Sequence, residues 1–129
     1  MYWRENRMSR VAMLFIIFLT IGLTAGVPAR AAEVEKVFKF YCAQCHGIDG
    51  KGKGPNVTED FATSPRNFTD AAEMNKLTDG DLKTVIMDGG PAVSKSELMP
   101  PWGKTLTVEE IDRLIAYIRN LCGCEGKKE

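Results

Sequence analysis

Cys42-Ala43-Gln44-Cys45-His46 contains the only histidine of a 129-residue chain and two of its four cysteines. At this composition the pattern arises by chance about once in a thousand chains, so it weighs as a motif. Two thiols three residues apart on one helical turn both reach the vinyl groups of a single haem, and the next residue projects an imidazole at the iron. A thioredoxin-like dithiol shares the spacing but favours a helix start within a βαβ pattern, and neither is found around this pair. Zinc would take Cys42, Cys45 and His46 with Cys122 or Cys124 as the fourth ligand. A plain Cys42–Cys45 disulfide would leave His46 without a role.

Upstream of the motif, Val34, Val37, Phe38, Tyr41 and Cys45 recur at spacings of three and four. That is the stripe of an amphipathic helix running from Glu33 into the cysteines. Downstream, residues 47–66 are rich in Gly, Lys, Asp and Pro and carry no period, which predicts an irregular loop. A loop of that length needs something other than secondary structure to order it. Thr78 with Asp81 approximates a capping box, Leu77 and Leu82 stand where a hydrophobic staple joins them, and Gly89-Gly90 ends the helix. Thr107 with Glu110 forms a second box, stapled by Leu106 and Ile111 and followed by Leu114, Ile115, Ile118 and Leu121 on one face. A short helical turn is expected between Asp70 and Asn75. No stretch alternates as a strand does, so the fold class is all-α.

A haem iron held by one histidine takes a second axial ligand or keeps an open position, and a chain with a single histidine excludes bis-His ligation. Met74, Met87 and Met99 are the thioethers outside the N-terminal segment. Met74 and Met87 fall on helical stretches and read as adaptable core fillers. Met99 precedes Pro100-Pro101, which biases it towards an extended, stiff segment able to hold a weak ligand at little entropic cost.

The N-terminus reads as a targeting segment. Arg4, Arg7 and Arg10 precede an apolar run from Val11 to Val27, and Ala29-Arg30-Ala31 offers small residues at the two positions a signal peptidase requires. The run is 17 residues long, short of the roughly 20 that span a bilayer, so a cleavable signal over residues 1–31 is expected in preference to a membrane anchor. Basic and acidic residues balance at 17 each over the whole chain, and removing residues 1–31 leaves 13 against 16. Neither balance points to nucleic acid. Export to an oxidising compartment requires all four cysteines to be paired or ligated. Cys122-Gly123-Cys124 invites an internal disulfide that the glycine eases.

Cys42-Ala43-Gln44-Cys45-His46-Gly47, the following Gly50-Lys51-Gly52-Lys53-Gly54-Pro55, Met99-Pro100-Pro101-Trp102-Gly103 and the helix ending near Leu121 together resemble a small class I c-type cytochrome. The likeness covers roughly residues 33–121 in the family's order. It implies about four short helices wrapped around one covalent haem c in residues 32–129, ending in a polar tail. It implies thioether attachment through Cys42 and Cys45, with His46 and Met99 as the axial ligands of the iron. It also implies that the Pro55 carbonyl accepts a hydrogen bond from the His46 ring, and that Trp102 lies against the haem. Helices from both chain ends, bearing Phe38, Tyr41, Tyr117 and Leu121, are expected to cross near the haem edge. The function implied is one-electron transfer outside the cytoplasm by a monomer that is not an enzyme. Its partners would be redox proteins, including transient docking to membrane-bound respiratory complexes, with Lys51, Lys53 and Lys104 bordering the docking edge. Two alternatives belong to other classes: a cytochrome subunit of a membrane or periplasmic oxidoreductase complex, and a haem enzyme or sensor with a labile methionine. Cys122-Gly123-Cys124 departs from the family pattern.

Overall fold

The computed structural model describes residues 27–61 and 63–128. The chain divides into two compact units, Met1–Glu33 and Val34–Glu129. Apart from residues 27–31, the expected signal segment lies outside the described residues. The described part of the first unit is the beginning of helix α1, Val27–Val37.

In the second unit α1 runs into a π-helical turn, Phe38–Cys42, and then into α2, Ala43–His46. The expected helix through the motif is therefore present but not uniform. A π turn adds one residue to the helical repeat and rotates everything after it relative to what came before. Phe38 is fully buried and Ala43 stays with the core, while Tyr41, Cys42, Gln44, Cys45 and His46 line a cavity. Phe38 packs against Tyr117 with ring centroids 4.9 Å apart, which is where the helices from the two chain ends meet.

The loop after His46 has no regular element up to Thr69 among the described residues. It is ordered by the helix end that it leaves behind. Helix α2 ends with open carbonyls, and the loop returns its own N–H groups to them: Asn56 to Gln44 at 2.8 Å, Gly54 to Cys45 at 2.9 Å and Gly52 to His46 at 2.7 Å. The approach is so close that a side chain at Gly54 would overlap the Gln44 carbonyl oxygen. Phe68 N–H closes the loop onto the Gly50 carbonyl at 2.7 Å.

Three further helices follow: α3 (Ala71–Met74), α4 (Asp79–Asp88) and α5 (Val108–Cys122), with a 3-10 turn at Gly90–Val93. Each of these three α-helices starts where its capping residue requires. The Asp70 carboxylate accepts from Glu73 N–H, and Thr78 and Thr107 head reciprocal boxes with Asp81 and Glu110. The backbone N–H groups of Thr78 and Thr107 hold those two carboxyls below their ordinary range by hydrogen-bonding the ionised form. Along α5, Ile111, Leu114, Ile115 and Ile118 are buried, and Leu106 completes the staple. At about 1.5–3 kcal/mol per buried aliphatic side chain, this face outweighs the roughly 1 kcal/mol of its cap.

The most connected polar side chain is Arg119, buried near the end of α5. It donates from Nη1 to the Met74 carbonyl and from Nη2 to the Leu77 carbonyl, both at 2.8 Å, and from Nε to Asp79 at 2.9 Å. The polar tail joins the same place, with Lys127 N–H on the Leu77 carbonyl at 2.9 Å and Gly126 N–H on the Asn75 side chain at 3.1 Å. One guanidinium thus ties α5, the end of α3 and the start of α4 together. Hydrogen bonds to charged groups contribute about 1.5–3 kcal/mol each, the exposed Asp79 less, and losses at one residue do not add. Arg119→Ala should lower the stability by about 2–4 kcal/mol, read as a fall in urea midpoint at unchanged m-value.

Candidate functional site

The π turn, helices α2, α4 and α5, the loop and the Met99 segment line an open cavity of about 880 Å³. Cofactor sites commonly measure about 300–1,000 Å³ and are mostly apolar with few polar groups. Leu82, Val85, Ile86, Leu114 and Ile118 form the apolar walls. Cys42, Cys45, His46 and Met99 all line this one space, although 53 residues separate the last two in sequence. Met74 is sealed in the core, Met87 is half-buried against it, and neither is among the cavity's lining residues.

Cys42 closes the π turn and Cys45 lies in α2; both are unpaired thiols. Burial pushes the Cys42 thiol up to about 12, so it stands as a protonated thiol at neutral pH. His46 stacks on Phe68, with ring centroids 4.3 Å apart and planes at 16°. Its Nδ1 lies 3.1 Å from the Arg66 carbonyl oxygen. A carbonyl only accepts, so Nδ1 carries the hydrogen, and in the neutral ring Nε2 holds the lone pair. Burial pushes the imidazole below its ordinary value, against the smaller opposing effect of that hydrogen bond, and favours the neutral ring that binds metals.

The carbonyl expected at this place is that of Pro55, and in this structure the Nδ1 partner is Arg66. Pro55 is exposed and is not among the cavity's lining residues. The loop N–H groups grip the carbonyls of Gln44, Cys45 and His46 and set this part of the loop against the helix end, while the chain returning at Arg66 brings its carbonyl to the ring. Nothing local in the sequence around Arg66 signals this, because the contact is 20 residues away and uses backbone only.

The Met99 segment is held from behind. Gly90 N–H donates to the Met99 carbonyl at 2.9 Å, while Trp102 and Gly103 N–H donate to the Ile86 and Met87 carbonyls at 2.9 and 3.0 Å. The segment therefore uses the carbonyls at the end of α4 as its rail. Gly89-Gly90 does more than stop that helix, since a side chain on Gly90 would overlap the Ser96 carbonyl oxygen. Trp102 lines the cavity and meets the Tyr41 ring edge-on at 5.0 Å. Of the residues expected at the helix crossing, Tyr41 reaches the cavity; Phe38 and Tyr117 pack behind it, and Leu121 approaches Gly50 and Phe68.

The donor set matches the group that the motif implies. Two unpaired thiols, one neutral imidazole and one thioether converge on a single apolar space with the volume of a cofactor site. Among the described residues no group of three or more His, Cys, Asp or Glu side chains is placed to hold a bare metal ion, which disfavours the zinc reading.

Comparison with known proteins gives concordant matches. Residues 29–118 fit the family model described as cytochrome C oxidase, cbb3-type, subunit III. The chain is 33% identical over 92 residues to the cbb3-type cytochrome c oxidase subunit FixP of Sinorhizobium medicae, a match covering 66% of this chain and 28% of that subunit. It is 28% identical over 111 residues to cytochrome c6 of Rippkaea orientalis, covering 84% of this chain and 88% of that one. Among solved structures, the KustC0563 c-type cytochrome superposes with a TM-score of 0.53 at 28% identity, covering 73% of this chain and 96% of that one. The chain spans less than a third of the length of FixP.

Proposed function

This chain belongs to the c-type cytochrome family, through the domain described for cbb3-type oxidase subunit III, and from that premise we propose that it is an exported carrier of single electrons. Members of this family carry covalently bound haem c, and the size of the domain fits one. When bound, that group supplies a reversible one-electron couple at iron.

The chain's residues divide the remaining work. Cys42 and Cys45 tether the macrocycle as thioethers. His46 presents Nε2, held in the correct tautomer by the Arg66 carbonyl, and this outer hydrogen bond raises the basicity of the ligand. Met99 would supply the thioether ligand to the iron, the kind that raises the potential. Leu82, Val85, Ile86, Leu114 and Ile118 exclude water and disfavour the extra charge of the oxidised iron. An iron held by both His46 and Met99 would leave no position for a substrate, which favours a carrier over an enzyme. Residues 1–31 direct export and are removed after Ala31. Lys51, Lys53 and Lys104 are exposed and border the docking edge for redox partners.

The observation that carries the proposal is the convergence of Cys42, Cys45, His46 and Met99 on one apolar cavity. A pyridine haemochrome assay on exported protein tests it. One haem per chain that resists acid-acetone extraction is expected; colourless protein, or colour that extracts, overturns it. A second reading, a cytochrome subunit fixed in an oxidase complex, draws on the match to FixP. Sequencing the mature N-terminus separates the two, since a carrier begins at Ala32 and an anchored subunit keeps its first residues.

A further inference from the structure

Cys122 and Cys124 are joined by a disulfide two residues apart in sequence, at the C-terminal end of α5. Closing so small a ring removes little conformational freedom from the unfolded chain, and the bond connects no distant parts of the fold. Its value as a staple is therefore among the lowest a disulfide offers. Its surroundings suit chemistry better. Both residues are half-buried, not sealed, and Arg119 Nη1 lies 3.9 Å from Cys124 Sγ. A guanidinium at that place stabilises a thiolate. The same Arg119 holds the Met74 and Leu77 carbonyls, Cys124 N–H donates to the Arg119 carbonyl, and Lys127 N–H shares the Leu77 carbonyl.

We propose that Cys122–Cys124 is a thiol–disulfide exchange site for a dithiol protein, and that its opening frees the C-terminal tail from Asn75 and Leu77. A partner thiolate attacks Cys122 Sγ, the S–S bond breaks, and Cys124 leaves as the thiolate beside Arg119 and takes up a proton. The partner's second thiol then attacks the partner sulfur of the mixed disulfide and releases Cys122. Two electrons and two protons pass from the partner dithiol, which becomes a disulfide, to the pair, which becomes two thiols. Ring opening removes the constraint that turns the chain back at Gly123, a residue in the left-handed conformation, and with it the geometry that seats Gly126 and Lys127.

The test uses the haem-loaded chain, a graded series of reduced and oxidised glutathione, iodoacetamide labelling mapped by peptide, and amide hydrogen exchange. Ordinary structural disulfides resist the glutathione pool. The expected result is two labels on the 122–124 peptide while the helical signal persists, with exchange at Gly126 and Lys127 about tenfold faster. A Cys122→Ser/Cys124→Ser variant should take no label there and show the same fast exchange constitutively. A disulfide that stays unlabelled until the fold melts, or labelling and a double variant that leave those two amides protected, overturns the proposal. Labels on Cys42 or Cys45 bear on haem attachment and not on this site.

Discussion

Chain made with Cys42→Ser and Cys45→Ser is expected to lose its cooperative fold along with its colour. The pocket of about 880 Å³ is a large space for a unit of 96 residues, Val34–Glu129, to keep in shape without the haem that fills it. Among the described residues twelve hydrophobic side chains are buried, a small core for a unit of this length, and of the large ones Phe38, Met74, Ile111 and Leu114 are fully shielded from solvent. Helix α5 keeps its cap and its apolar face, and Leu114 and Ile118 of that face also border the pocket, so the pocket wall and the core are built from the same side chains. Circular dichroism during urea titration of the exported double variant is the check. A gradual, non-sigmoidal loss of a weak helical signal is expected where the haem-loaded protein shows one steep transition. A steep transition in the double variant would mean that the polypeptide supplies its own core.

Met99→Ala is expected to leave the fold standing and change the iron. Met99 is half-exposed at the cavity margin, and its segment is held by the backbone hydrogen bonds of Gly90, Trp102 and Gly103, none of which uses the thioether. The Met-to-iron charge-transfer band near the red end of the oxidised spectrum should disappear. The midpoint potential should fall by a sizeable part of the about 0.8 V over which axial ligands set haem potentials. The vacated position should admit carbon monoxide in the reduced protein. Met74→Leu and Met87→Leu are the controls: both conserve volume, cost less than about 1.5 kcal/mol, and should keep the band and the potential. A band that survives Met99→Ala, or vanishes in either control, would move the sixth ligand elsewhere.

The two substitutions probe different kinds of information in the chain. Cys42, Cys45 and His46 form a site within five residues, so their chemistry is set by spacing along one helical turn and is legible from the primary structure. The same holds for the boxes at Thr78 and Thr107, where cap and partner are three residues apart and the geometry is local. The staples Leu77 with Leu82 and Leu106 with Ile111 belong to the same class. In each case the interacting groups are connected by so short a chain that little else competes for them.

Position-specific failures occur where a backbone group serves as the partner. The His46 ring meets the Arg66 carbonyl and not that of Pro55, and no side-chain identity distinguishes one carbonyl from another. The role of Gly90 appears once the Met99 segment lies across it. Arg119 reads as one more cation on an exposed helix end until α3 and α4 bring the Met74 and Leu77 carbonyls to it.

From residue order alone follow the haem-binding motif, the helical class, the capped ends of α4 and α5, and Met99 as the thioether outside a helix, all of them properties of neighbours along the chain. Which carbonyl orients the imidazole and what ties the tail to Leu77 were decided by packing. Those outcomes depend on where separate segments cross in space, and a linear pattern carries no distance between residues 20 to 50 positions apart.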